Sequence, residues 1–105
     1  MQIVFNRVVA DQLRARYTVL DLEEFNVDGK VLEAFCVVPV EKLAFMDLTK
    51  LQEQKDNHQE FVLALSNKEW KTIIEMYATV CGSFGGELDT FYSEIVSRAK
   101  TMIAG

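Results

Sequence analysis

The chain has 105 residues, 50% of them hydrophobic and 26% charged, and carries a net charge of −5. That length holds a single domain, and that composition buries a core and excludes a disordered chain. The excess of 16 Asp and Glu over 11 Lys and Arg argues against nucleic acid and against an anionic membrane surface, which both need a basic face.

Residues 2–5, Gln2-Ile3-Val4-Phe5, read as a short strand. No basic region with a long apolar run follows it, and no apolar run reaches membrane-spanning length. The expectation is a cytoplasmic protein. Asn6 can cap the next segment through its side-chain oxygen, and Val9, Leu13 and Tyr17 stand at helical spacing over residues 7–16.

The clearest local signal is a hairpin over residues 18–38. Asp28-Gly29 between two apolar runs suits a two-residue type I′ turn. Pairing around it sets Val27 opposite Lys30, Phe25 opposite Leu32, Leu22 opposite Phe35 and Leu20 opposite Val37. One face then carries Leu20, Leu22, Phe35 and Val37. The other carries Val19, Phe25, Leu32, Ala34, Cys36 and Val38, with Asp21 and Glu23 among them. Two apolar faces call for cover on both sides. Val19, Phe25, Leu32, Cys36 and Val38 are therefore the candidate interaction surface, to be met by the C-terminal helices or by another subunit. Pro39 ends the hairpin.

Asp47 or Thr49 can cap a helix carrying Leu48, Leu51, Val62 and Leu65. Residues 52–60 contain no aliphatic side chain, which predicts a helical turn standing off the body, or a loop. Ser66-Asn67-Lys68-Glu69 reads as a capping box. The next helix presents Trp70, Ile73, Ile74, Tyr77, Val80 and Cys81 on one face, and Gly82 ends it with a left-handed cap. The last helix, from about Gly86, presents Leu88, Phe91, Tyr92, Ile95, Val96, Ala99, Met102 and Ile103, with Glu94 and Arg98 as an i,i+4 pair. The two helices should pack antiparallel, with Phe84 plugged between them.

The motifs that could carry chemistry are sparse. Gly82, Gly85 and Gly86 precede a helix and form the one candidate ligand loop, since glycines let backbone amides approach a phosphate. A helix precedes them, however, no Lys or Thr follows as in a P-loop, and Glu87 and Asp89 occupy the anion-attracting turn. His58 shares a helix face with Leu51, Val62 and Leu65 but lacks the partners a general base or a metal site needs. Glu53, Asp56 and Glu60 fall on one helical face and read as solvated. Glu24 and Glu33 face each other near the hairpin turn, where water or a nearby lysine relieves them. Trp70, Tyr77, Phe84, Phe91 and Tyr92 have core spacing without interleaved bases. Cys36 and Cys81 form no C-x-x-C and read as buried free thiols. No cofactor or metal motif is present.

Several segments together resemble a known group. They are Tyr17-Thr18-Val19-Leu20-Asp21-Leu22, Ala34-Phe35-Cys36-Val37-Val38, Trp70, and Gly82-x-Phe84-Gly85-Gly86-Glu87-Leu88-Asp89-Thr90-Phe91-Tyr92-x-Glu94-Ile95. The chain resembles short uncharacterised proteins of marine tailed bacteriophages and ocean environmental sequences over about residues 3–98. It departs from their pattern at Lys71-Thr72-Ile73 and at Phe84. The resemblance implies no activity and carries over no site residue.

The expected fold is α+β: a small antiparallel sheet, made of the N-terminal strand and the 18–38 hairpin, packed with C-terminal helices of which the last two form an antiparallel pair. The expected function is that of a non-enzymatic phage-type accessory or interaction module that self-associates as a dimer or higher oligomer, with a host or virion protein as a further partner. The alternatives are a small-ligand or nucleotide-binding protein using the 82–87 joint, and a virion assembly factor.

Overall fold

The computed structural model describes residues 2–44 and 46–105. Its elements are β1 (Gln2–Val4), α1 (Arg7–Leu13), β2 (Thr18–Val27), β3 (Lys30–Val38), α2 (Leu48–Ser66), α3 (Trp70–Val80) and α4 (Asp89–Ala104), with a short 3-10 turn at Val40–Lys42 and a tight corner of largely left-handed backbone at Ser83–Gly86. The fold is α+β. The strands form one antiparallel sheet in the order β1-β3-β2, and α3 and α4 pack on each other.

Local chemistry sets several of these elements. The Asn6 side chain accepts hydrogen bonds from the Val8 and Val9 amides, which starts α1. Asp28 and Gly29 both have positive φ, 52° and 79°, as a type I′ turn demands. Near the turn the register is the regular one, with Val27 opposite Lys30 and Phe25 opposite Leu32.

Farther down, the expected pairing fails. The register shifts between Asp21 and Glu24, so that Asp21 faces Phe35, Leu20 faces Cys36 and Val19 faces Val37. Leu22 and Glu23 together oppose Ala34, which is a β-bulge in β2. A one-residue slip exchanges the faces of everything beyond it. Phe35 and Val37 therefore do not join Leu20 and Leu22. Leu20, Leu22, Ala34, Cys36 and Val38 point into the main core under α2, α3 and α4. Val19, Phe35 and Val37 form a second cluster with Ala10, and Val4 and Leu13 pack against it. The second face is thus covered at its base by α1 of the same chain.

Helix α2 runs unbroken through the polar stretch, contrary to the expected stand-off or loop. Asp47 caps it, accepting from the Lys50 amide at 2.7 Å. Gln, Glu and Lys are good helix formers, and the inward face is supplied by buried His58 and half-buried Leu51 and Gln54. The expected capping box is not formed, because Ser66 is still helical. Beyond it the Glu69 amide reaches the Ala64 carbonyl at 2.8 Å and the Lys68 amide reaches Leu65 at 3.1 Å. Lys68 has φ 56°. This is a Schellman ending of α2, so the segment that looked like a start is a stop.

The last helix begins at Asp89, later than expected, because Phe84, Gly85 and Gly86 all have positive φ. Phe84 is fully buried in the core, and its neighbours His58 and Gln54 lie on α2 rather than between α3 and α4. Among the buried aromatics, Phe61 and Tyr92 pack edge to face with centroids 5.0 Å apart. Met102 and Ile103 overhang the core and stay exposed.

Candidate functional site

One imidazole organises the interior. His58 sits mid-way along α2, essentially fully buried. Its Nε2 lies 2.6 Å from the Asp21 carbonyl oxygen and its Nδ1 lies 2.7 Å from the Tyr92 hydroxyl. A carbonyl only accepts, so Nε2–H donates to Asp21. The neutral ring then accepts at Nδ1 from the Tyr92 O–H. Burial pushes the His58 pKa below its ordinary value, against the opposing pull of the Asp21 carbonyl and carboxylate. Burial pushes the Tyr92 hydroxyl upward, with smaller contributions from Cys36 and Asp89. The Phe84 ring meets the imidazole edge-on at 6.1 Å. Both ring nitrogens are engaged within the fold, and His58 joins α2 to β2 and α4. The sequence carried a signal for this: Leu51, His58 and Leu65 recur every seven residues on one face. The polar flanks masked it.

The same strand edge is closed a second time. Arg14 donates to the Val19 carbonyl at 3.0 Å and to the Asp21 carboxylate at 3.1 Å. β2 is an edge strand, and Val19 and Asp21 alternate with Leu20. The guanidinium and the imidazole thus occupy consecutive outward carbonyls of its lower half.

The bulge opens a cleft of about 370 Å³ beside the end of α2. Leu22, Val62, Leu65 and half-buried Trp70 line it, and its rim is charged. Arg98 binds the Glu23 carboxylate at 2.5 Å, so the expected Glu94–Arg98 pair gives way to a tertiary one. Glu24 does face Glu33, but the group that relieves them is not the expected lysine or water: Arg7 pairs with Glu33. Lys68 also lines the cleft and forms no ion pair among the described residues.

Two amides of the glycine joint are taken by side chains of the same fold. The Gly82 amide donates to Asp89 Oδ1 at 2.8 Å, and the Phe84 amide donates to Gln54 Oε1 at 2.8 Å. Gly85 backs onto Lys42, where an added Cβ would stand 2.9 Å from the carbonyl oxygen. Gly82, Gly85 and Gly86 therefore build a corner whose nearest anion is the protein's own Asp89.

The candidate interaction set is split. Val19, Cys36 and Val38 are buried, for the bulge turns Cys36 and Val38 to the helices and Val19 to α1. Phe25 and Leu32 remain exposed at 41% and 39%. The Cys36 thiol is pushed up to about 12 by burial. Cys81, expected to be buried, is exposed; both cysteines are free. Asp56 accepts from Gln52, and among the described residues no three His, Cys, Asp or Glu converge to hold a metal ion. Phe84, Phe91 and Tyr92 are core residues, with Trp70 and Tyr77 packed against them. No helix among the described residues is long and apolar enough to cross a membrane.

No family model matches the chain, and neither does any curated protein or solved structure.

Proposed function

We propose that the chain is a non-catalytic interaction module that works as a self-associated dimer or higher oligomer. The observation that carries this reading is the apolar surface left exposed at both ends of the sheet. Phe25, Val27, Val31 and Leu32 are exposed on the hairpin near its turn, and Ile3, Phe5, Val8 and Val9 are exposed around β1. Single exposed apolar residues are ordinary, but groups of them mark contact surfaces. The engagement of His58, of the Gly82 and Phe84 amides and of Arg7, Arg14 and Arg98 within the fold favours binding over catalysis. In this reading the protein acts in the cytoplasm, that of an infected host if a phage encodes it, and a host or virion protein is a further partner. Sedimentation velocity across micromolar concentrations tests it. A mass of two or more chains is expected, and a monomer throughout overturns the reading.

A second reading, small-ligand binding, is favoured by the cleft at the bulge, with Trp70 on its wall and Lys68 beside it. A rise in melting temperature with a nucleotide or metabolite, abolished by Trp70→Ala, would establish it.

A further inference from the structure

A three-stranded sheet has two edges, and here they are built differently. Along β2 the outward carbonyls of Val19 and Asp21 are taken by Arg14 and His58. The rest of that edge carries Glu23, Glu24 and, at the turn, Asp28. Pairing this strand with its own copy would bring like charges together, which destabilises a ladder. Lysines, prolines, bulges and charges are the usual protections of an edge, and β2 has a bulge and acids.

The β1 edge has no lysine, proline, bulge or charge, and its one protection is its length, three residues. Gln2-Ile3-Val4-Phe5-Asn6 is free of charge and of proline. β1 pairs with β3 on one side in an unbroken register, Ile3 opposite Cys36 and Val4 opposite Phe35. β1 itself ends at Val4, and Asn6, the cap of α1, has an extended backbone, φ −121° and ψ 119°. Ile3, opposite the core residue Cys36, lies on the helix side of the sheet. It is 41% exposed and Phe5 is 55% exposed. Val8, in the first turn of α1, is 65% exposed.

We propose that a second copy of this chain occupies the β1 edge, antiparallel about a two-fold axis at Val4, joining two sheets into one of six strands. The sequence is self-complementary in that register. Val4 meets the partner's Val4, Ile3 meets the partner's Phe5, and Gln2 meets the partner's Asn6. The aliphatic–aromatic pair occurs twice, with no charge in either strand. Such an interface is isologous and closed, so it yields a dimer and not a fibre. Backbone hydrogen bonds supply the attraction, and the Ile3–Phe5 pairs fix the register. The inference rests on the self-association reading and names its surface.

The test uses the full chain and two double variants in sedimentation equilibrium, with far-UV circular dichroism to check folding. Ile3→Lys with Phe5→Lys should weaken the dimer at least ten-fold, while Leu48→Lys with Leu63→Lys, at two exposed residues of α2, should leave it intact. A dimer that survives the edge lysines, or one that is lost in the α2 variant as well, overturns the inference and leaves self-association standing. A monomeric wild-type chain overturns both. If the edge variant does not fold, a crosslink decides. Val4→Cys in a Cys81→Ser background should form a covalent dimer on mild oxidation, because directly opposed strand residues lie within disulfide reach. Failure to crosslink overturns the pairing.

Discussion

The Tyr92 hydroxyl donates to His58 Nδ1 across 2.7 Å in the interior of the protein, tying the first turn of α4 to the middle of α2. The opposite nitrogen holds the backbone of β2. Three elements that are distant in sequence therefore share one ring, and removing any member leaves a buried polar atom without a partner.

Tyr92→Phe should accordingly destabilise the protein by about 1–3 kcal/mol, the cost of stranding a buried acceptor. The phenyl ring keeps its packing against Phe61, so the loss isolates the hydroxyl. A shift in the urea midpoint at constant slope would measure it.

The same ring makes stability depend on pH. His58 is held below its ordinary pKa in the folded state, whereas the unfolded chain titrates near 6.5. Above about pH 6.5 neither state carries the proton and the contribution is complete. As pH falls below about 6.5, the unfolded chain binds a proton that the buried ring refuses, and stability declines until the folded pKa is reached. The urea midpoint should fall from pH 7 to pH 5. His58→Gln, less stable throughout, should show a shallower fall over that window.

The corner between α3 and α4 should rank its glycines. Gly82→Ala meets open space and carries only the left-handed backbone penalty, about 1–2 kcal/mol. Gly85→Ala adds a Cβ at 2.9 Å from the Lys42 carbonyl and should cost distinctly more. Thermal melts of the two variants, run side by side, give the order directly.

Helix-end substitutions distinguish a start from a stop at residues 66–69. Ser66→Ala should change stability by less than about 0.5 kcal/mol, as an exposed side chain without a capping bond would. Asp47→Ala should cost about 1 kcal/mol, because Asp47 does cap. Lys68→Gly should stabilise, since Lys68 holds φ 56° and glycine adopts that conformation without strain. Urea titrations of the three variants read all three outcomes.

Several features set by neighbours along the chain were legible from the residues alone, although Ser66-Asn67-Lys68-Glu69 read as a helix start and is a stop. Asp28-Gly29 marked the turn, Asp47 or Thr49 the cap, and the spacing of Ile73, Val80, Phe91, Ile95 and Ala99 the buried faces of the last two helices. Features set by tertiary competition were not. Regular pairing and the bulge are locally equivalent, and only the packing of Phe35 against α1 distinguishes them. Arg98 had a good partner in Glu94 along the helix, yet Glu23 offers a more enclosed carboxylate across the fold. His58 shared a face with Leu51 and Leu65 in the sequence, but its two partners, the Asp21 carbonyl and the Tyr92 hydroxyl, come from distant elements. The edge contrast needed the sheet order, for which strand patterns carry no information.

The extra residue in β2 also divides the hairpin into two territories. Below Leu22 and Glu23, alternation is dictated by two packed cores, and no side chain can change sides without penalty. Above them, Glu24 to Leu32 answer to solvent and to whatever touches the turn. Because the bulge absorbs the offset, substitutions at the tip need not agree in parity with the base. The bulge works as a seam between a base packed on both faces and a tip that faces solvent.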